Sequence, residues 1–157
     1  MIYYTKIVSP IGEITLCSAD RGAISGLWLD TQHPKLENAV RCDSPAVFRE
    51  AEMWLERYFA GERMQTGEVR IDFSGTDFQK RVWNELLTIP YGTTVTYGDL
   101  AKRIGCRSAQ AVGQAVGRNP ISILVPCHRV IGSGGSLTGY AGGHDKKRAL
   151  LKIEGIL

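Results

Sequence analysis

The chain has 157 residues, of which 43% are hydrophobic and 22% are charged, a composition typical of a globular protein with one domain or two small subdomains. No apolar run approaches the ~20 residues that a membrane-spanning helix needs, so we expect no such helix in this sequence. Residues 1–6 lack the charged and then apolar build of a signal peptide, so we expect a soluble, cytoplasmic protein.

The net charge of +3 is unevenly distributed along the chain. Residues 1–78 carry 8 Lys and Arg against 12 Asp and Glu, a net −4, whereas residues 79–157 carry 11 against 4, a net +7. A basic half joined to an acidic half favours a polyanionic partner for the second half. A solvated basic face would have the same composition, so charge alone leaves both interpretations open.

Short antiparallel strands and one helix are predicted in the first half. Turns are indicated at Gly12 and at residues 20–22, and apolar residues lie between them, namely Ile14, Leu16, Ile24, Leu27 and Leu29. A helix is predicted from Ser44-Pro45 to Gly61, because proline suits a first turn and apolar residues then recur with helical period at Val47, Ala51, Leu55 and Tyr58. Residues 61–75 are polar and contain glycine, so we expect a subdomain boundary there, with domains at residues 1–72 and 73–157.

Three helices with N-terminal caps are predicted in the second half. Thr76 or Asp77 can cap the first, and Thr96 lies three residues before Asp99, which is the spacing of a capping box. Ser108 can cap the third helix, residues 109–116. The second and third helices, joined by a tight turn in a basic region, predict a helix-turn-helix, although many helical hairpins contact no nucleic acid.

The third helix is narrow because small residues dominate it, namely Ala109, Ala111, Gly113 and Ala115. Such a helix can enter a confined groove of a partner. It can equally pack closely against another helix of the same protein.

Cys127 is the candidate nucleophile among the four cysteines. It follows an apolar run, residues 121–125, that predicts a buried extended segment, and it precedes His128 and the fixed charge of Arg129. Such an electropositive neighbourhood is expected to lower the thiol pKa and increase the thiolate fraction. A buried structural cysteine beside a hydrogen-bonded histidine is the alternative. The other three, Cys17, Cys42 and Cys106, lack such neighbours and are expected to be structural.

Taken together, these segments resemble the O6-alkylguanine-DNA alkyltransferases, or methylated-DNA–protein-cysteine methyltransferases, over nearly the whole chain. The most specific match is Pro126-Cys127-His128-Arg129-Val130, preceded at this distance by Arg118-Asn119-Pro120. The other matching segments are Ser9-Pro10-Ile11-Gly12, residues 76–92, Thr96-Tyr97-Gly98, Ala111-Val112-Gly113, residues 139–143 and Glu154-Gly155.

The resemblance implies an α+β fold. A small ribonuclease-H-like N-terminal β-sheet with a helix would precede a helical C-terminal DNA-binding domain of the winged or helix-turn-helix type. The motif would enter the minor groove of double-stranded DNA, and the damaged guanine would be flipped into a pocket. A monomer without metal or diffusible cofactor is implied, and cooperative binding to DNA stays open.

The resemblance also implies the reaction, a stoichiometric and irreversible repair of O6-alkylguanine, extended to O4-alkylthymine. The Cys127 thiolate would displace guanine from the alkyl carbon in one in-line step. His128 would deprotonate Cys127 through a water, and Glu154 would orient His128 and favour its cationic form. Asn119 would hold the turn beside the site, and Tyr97 would hydrogen-bond the base and protonate the leaving guanine.

Further contacts are implied for the base and for DNA. The pocket residues are Tyr140 and the backbone of Val130, Ala141 and Gly142. The DNA-binding residues are Arg107, Ala109, Gln110, Ala111, Gly113, Gln114 and Arg118, with Lys102 and Arg103 also facing phosphates.

The chain departs from the family pattern in two places. Gln110 stands where studied relatives have an arginine that fills the gap left by the flipped base, which puts that intercalating role in question. Some relatives also bind zinc through N-terminal cysteines and histidines, and no matching set surrounds Cys17, His33 and Cys42, so we predict no zinc.

Three other functions are alternatives to this reaction. An alkyltransferase-like protein that recognises damage without repair would lack the cysteine, and Cys127 is present. A DNA-binding regulator would gain no mass from alkylated DNA. A Cys–His hydrolase would turn over repeatedly, and such enzymes bring the pair together from distant positions.

Overall fold

The computed structural model describes residues 1–137, 140 and 142–157. Its N-terminal part is a four-stranded sheet with one long helix, comprising β1 Tyr3–Ser9, β2 Gly12–Ser18, β3 Gly26–Leu29, β4 Val40–Arg41 and α1 Ala46–Phe59. The strand order is β3-β2-β1-β4, in which β1, β2 and β3 are antiparallel and β4 runs parallel to β1. The predicted antiparallel strands and helix are confirmed, and the parallel edge strand β4 has no counterpart in the sequence prediction.

The C-terminal part is mainly helical. Its elements are α2 Asp77–Leu86, β5 Val95–Thr96, α3 Tyr97–Arg103, α4 Ala109–Gly117, β6 Val130–Ile131 and α5 His144–Ile153. The strands β5 and β6 form a small parallel pair. Within the described part of the chain, no helix combines the length and the apolar character that crossing a bilayer requires.

The predicted caps are present at all three helix starts. The Thr76 hydroxyl accepts from the Gln79 N–H, and the Gln79 side chain accepts from the Thr76 N–H, at 3.1 and 3.0 Å. Thr96 and Asp99 make the same reciprocal pair, and the Ser108 hydroxyl accepts from a backbone N–H of α4 at 3.1 Å. Each such cap contributes about 1 kcal/mol, and together they fix where α2, α3 and α4 begin.

One apolar core continues through both parts of the chain. Trp83 on α2 is buried and donates from Nε1 to the Ala115 carbonyl at 2.8 Å, which ties α2 to α4. The segment 61–75 is docked onto this core, because Met64 and Val69 are buried and the Trp54 indole donates to a carbonyl of the segment. The expected subdomain boundary is thus a packed connection.

The edge strand β3 is covered by the segment that precedes Cys127. The Leu27 N–H donates to the Pro120 carbonyl at 2.9 Å, and the Ser122 N–H donates to the Leu27 carbonyl at 3.3 Å. These bonds satisfy a sheet edge that would otherwise face solvent. They also anchor the backbone next to the cysteine on the N-terminal sheet.

Candidate active site

Residues 119–125 form a tight turn just before the candidate nucleophile. The Asn119 side chain closes it, since Oδ1 accepts from the Ile121 N–H at 3.0 Å and Nδ2 donates to the Val125 carbonyl at 2.9 Å. Ile123 has a φ of 69°, in the left-handed region, which costs a β-branched residue roughly 1–3 kcal/mol. The run at residues 121–125 is buried as predicted but is not continuously extended, because it turns at Ile123 and Leu124.

Cys127 begins a three-residue 3-10 helix and is only 3% exposed. Burial raises the pKa of its thiol to about 11, and the Asn119 side chain, the charge of Lys147 and the Ser122 side chain offset only part of this effect. The expected lowering of the thiol pKa was wrong, because loss of solvent outweighs the nearby donors. Burial also raises the pKa of Cys17 to about 11, so acidity alone does not distinguish the two buried cysteines.

A buried ion-pair cluster follows the cysteine. His128 Nε2 lies 2.5 Å from Glu154 Oε2. The Arg129 guanidinium donates from Nε to Glu154 Oε1 at 2.9 Å and from Nη2 to Oε2 at 3.3 Å, while Nη1 donates to the Ile89 carbonyl at 2.7 Å. The fixed charge of Arg129 is thus compensated by Glu154.

Two further donors reach the same carboxylate from other elements. The Tyr58 hydroxyl, on α1, donates to Glu154 Oε2 at 2.7 Å, and the Gly92 N–H donates to Oε1 at 2.9 Å. Glu154 lies at the C-terminal end of α5. The carboxylate therefore joins α5, α1, the loop after α2 and the residues that follow Cys127.

The charges in this cluster follow from burial and hydrogen bonding. Burial alone would raise the pKa of Glu154, but donors that include His128, Gly92 and Tyr58 lower it to about 2. Burial lowers the pKa of His128, the attraction of Glu154 does not compensate, and the charge of Arg129 lowers it further. The expected cationic His128 was therefore wrong, because burial outweighs the attraction of Glu154.

The neutral imidazole has a defined proton position. An ionised carboxylate can only accept, so His128 carries its proton on Nε2, facing Glu154, and has a basic lone pair on Nδ1. Nδ1 is buried, and no residue in the described ranges hydrogen-bonds to it. The cluster thus presents one basic nitrogen next to Cys127 in sequence, and a proton taken there would be stabilised by Glu154.

Lys147 and two tyrosines complete the polar surroundings of the thiol. Lys147 on α5 is fully buried, and its Nζ donates to the Val130 carbonyl at 2.5 Å and lies 5.9 Å from the Tyr97 ring centroid. Burial lowers the pKa of Lys147 to about 8, and charge on Cys127 acts to raise it, so the ammonium and a thiolate stabilise each other. Burial raises the pKa values of Tyr97 and Tyr140, so both phenols keep their protons at neutral pH.

Comparison with known proteins identifies the family. Residues 2–73 match the ribonuclease-like domain of 6-O-methylguanine DNA methyltransferase, and residues 77–156 match the DNA binding domain of the same protein. The chain belongs to the 6-O-methylguanine DNA methyltransferase family. The methylated-DNA–protein-cysteine methyltransferase of Mycobacterium tuberculosis is 49% identical over 156 residues, covering 98% of this chain and 93% of the relative. That of Methanosarcina acetivorans is 48% identical over 158 residues, covering 98% and 99%.

Solved structures of this family share the fold. The M. tuberculosis protein in complex with DNA has a TM-score of 0.88 at 47% identity, covering 97% of this chain and 92% of that one. The O6-methylguanine-DNA methyltransferase of Pyrococcus kodakaraensis has a TM-score of 0.71 at 26% identity, covering 99% of both chains. The α+β fold expected from the resemblance is confirmed.

The helix-turn-helix of this family member borders an open cleft of about 690 Å³. Its lining residues are Thr96, Tyr97, Gly98, Ala109, Gln110, Gly113, Gln114, Gly132 and Ser133. Lys102, Arg107 and Arg118 are exposed around α3 and α4, whereas the exposed Arg103 lies 4.0 Å from Glu85. The cleft lining thus includes four of the predicted DNA-binding residues, namely Ala109, Gln110, Gly113 and Gln114.

The predicted pocket residues differ from one another in their hydrogen bonding. The Tyr140 hydroxyl is buried and has no hydrogen-bond partner among the residues that the structure describes. The Val130 carbonyl already accepts from Lys147, and the Gly142 carbonyl accepts from the Thr31 hydroxyl at 2.5 Å. Ala141 lies outside the described residues.

Sequence reasoning missed three polar residues at the site. The sequence pattern predicts Tyr58 as an apolar position of α1 and Ser122 as part of an extended run. Lys147 lies in a basic stretch that looks solvated, yet the same face of α5 carries Leu150, Leu151 and Glu154 at helical spacing. That helical spacing places Lys147 on the buried face of α5, so the sequence pattern contains a signal for its burial.

Proposed function

We propose that this protein repairs DNA by moving the alkyl group of O6-alkylguanine onto Cys127, once per molecule. The main support is the arrangement of the site in a chain of the methyltransferase family. Cys127 is followed directly by His128, which is buried and pairs with Glu154. The family's relatives are named for transfer of a methyl group from DNA to a protein cysteine. The arrangement supplies the nucleophile and the base that such a transfer needs.

The reaction begins with a proton transfer in this proposal. The Cys127 proton moves to Nδ1 of His128 through a water, because the thiol has a raised pKa and requires a base. The imidazolium that forms is stabilised by Glu154, and the thiolate is stabilised by the ammonium of Lys147. Burial of the site strengthens both attractions.

Alkyl transfer then follows in one displacement. The thiolate sulfur forms a bond to the alkyl carbon while the bond from that carbon to O6 breaks, and its electron pair stays on guanine. Tyr97 donates a proton to the leaving base and regains one from the imidazolium of His128 through solvent, since its raised pKa favours the phenol. The thioether on Cys127 has no acidic proton to lose and is a poor leaving group, so the protein acts once.

Double-stranded DNA is the proposed partner, bound through α3 and α4. A relative's structure contains DNA, and exposed cations surround this motif. We propose minor-groove entry of the narrow α4, a base flipped toward the pocket formed by Tyr140 and neighbouring backbone, and a monomeric protein. The proposed division at residues 72 and 73 assigns this surface to the C-terminal domain.

The proposal is tested by titrating the protein with duplex DNA that carries radiolabelled O6-methylguanine. We expect transfer of one label per protein molecule and no turnover beyond it. Cys127→Ser should bind the duplex with nearly unchanged affinity and accept no label, because binding depends on the helices and backbone contacts. Absence of label on the wild type would indicate a DNA-binding regulator, and repeated release of product would indicate a hydrolase.

A further inference from the structure

A tyrosine from the N-terminal part shares one carboxylate oxygen with the catalytic histidine. Glu154 Oε2 lies 2.5 Å from His128 Nε2 and accepts from the Tyr58 hydroxyl at 2.7 Å. Tyr58 is fully buried, and its hydroxyl also lies 3.4 Å from His128 Nε2. We propose that Tyr58 is a positioning residue of alkyl transfer. Its hydroxyl limits the basicity of the Glu154 carboxylate, and this keeps His128 neutral and able to accept the thiol proton. This inference rests on the function proposed above.

The physical reason is competition for the lone pairs of one oxygen. A hydrogen bond to a carboxylate stabilises its charge, and each additional donor weakens the pull of the carboxylate on the others. Without the Tyr58 hydroxyl, Glu154 Oε2 would attract the Nε2 proton of His128 more strongly. The imidazole would then bind a second proton at higher pH, and a cationic His128 cannot accept the proton of Cys127.

Other charged and titratable groups in the described part of the chain also surround the pair. The charges of Arg129 and Lys147 lower the pKa of His128, and the charge of Glu154 raises it. The other titratable groups nearby are Tyr58, Tyr91, Tyr140 and Cys127. Burial, followed by the charge of Glu154, raises the pKa of Tyr58 far above its usual range, so Tyr58 stays a proton donor at every working pH. Its effect on the pair is therefore constant across a pH series.

The ring of Tyr58 is held by packing that does not involve its hydroxyl. It stacks on Trp54 with ring centroids 5.5 Å apart and an interplanar angle of 8°, and it meets Phe59 and Tyr91 edge to face. Removing only the hydroxyl should therefore leave the ring in place. Tyr58→Phe is a specific test of the hydrogen bond.

Tyr91→Phe is the matched control. The Tyr91 hydroxyl donates to the Ile153 carbonyl at 3.2 Å, next to Glu154 in sequence but not to its carboxylate. Both variants thus remove one tyrosine hydroxyl from the same aromatic group. Only one of them removes a donor to the carboxylate.

The experiment measures single-turnover transfer from the free base O6-benzylguanine as a function of pH, which avoids any change in DNA binding. The acid limb of the rate profile is the range in which the rate falls as the pH is lowered and His128 becomes protonated. Its midpoint should rise by about one pH unit in Tyr58→Phe and should stay at the wild-type value in Tyr91→Phe. A merely structural role would lower thermal stability in both variants without moving the limb.

The outcomes separate this inference from the proposed function. An unshifted limb in Tyr58→Phe, or an equal shift in Tyr91→Phe, overturns the role of Tyr58 while wild-type transfer still stands. A wild-type protein that gains an alkyl group neither from the free base nor from duplex O6-methylguanine overturns both. Transfer to Cys127 with a shift confined to Tyr58→Phe supports the inference.

Discussion

Replacing Arg129 by Met should strongly destabilise the fold, because it leaves Glu154 charged and buried without its cation. The residue is 2% exposed, and its side chain donates three hydrogen bonds, two to Glu154 and one to the Ile89 carbonyl. Bonds to charged groups contribute about 1.5–3 kcal/mol each, but the apolar methionine regains part of the loss. Breaking a buried ion pair by removing one partner costs about 3–5 kcal/mol, and we expect that range here.

The pH dependence of this loss provides a second test. In the wild type the pKa of Glu154 is lowered from 4.5 to about 2, so its stabilising contribution is present above pH 4.5 and is lost as the pH falls toward 2. In Arg129→Met the pKa of Glu154 should return toward its usual value or above. The difference in unfolding free energy between the two proteins should therefore be largest above pH 4.5 and shrink below it.

Urea unfolding of both proteins between pH 3 and pH 8 measures this difference, with Arg103→Met as the control. Arg103 is exposed and its ion pair with Glu85 spans 4.0 Å, so its loss should cost less than about 1 kcal/mol. An Arg129→Met variant within about 1 kcal/mol of the wild type at pH 7, or a difference independent of pH, would refute the reasoning.

Three further changes should separate thiol chemistry from DNA binding. Lys147→Met should slow transfer from O6-benzylguanine at least tenfold, because the thiolate loses its cation, while thermal unfolding shows equal or higher stability, since a buried ammonium is removed. Wild-type affinity for duplex DNA should fall steeply between 50 and 200 mM salt, and Arg107→Gln should reduce the slope of log affinity against log salt by about one. Gln110→Arg should speed repair of duplex O6-methylguanine, because a cation that stacks on bases replaces a neutral amide, and should leave the free-base rate unchanged. Equal duplex rates in the wild type and Gln110→Arg would indicate that Gln110 is a solvated helix residue. A changed free-base rate in the variant would indicate a disturbed pocket.

Local signals in the sequence were sufficient to predict α1, α2, α3 and α4, whereas α5 was not predicted. Thr76, Thr96 and Ser108 are capping residues whose hydrogen bonds involve only the following turn, so spacing alone indicates them. The sequence also indicates Cys127 and His128 as the candidate reactive pair, because they are adjacent in the chain and lie in the segment that resembles the family motif.

What the sequence did not reveal depends on contacts between distant segments. Tyr58 and Glu154 are far apart in sequence, and only the fold shows that their side chains meet. Residues 121–125 look like a strand because they are apolar, and the Asn119 side chain bends them. The pKa values of Cys127 and His128 depend on burial, which a list of neighbouring residues cannot supply.

The central claim is that Cys127, and no other cysteine of the chain, accepts the alkyl group. Peptide mass analysis after incubation with duplex DNA containing O6-methylguanine tests it most directly. The account predicts that the peptide with Cys127 gains the mass of one CH₂ group, while those with Cys17, Cys42 and Cys106 stay unchanged. An unmodified Cys127 peptide, or a methyl group on another cysteine, would contradict it.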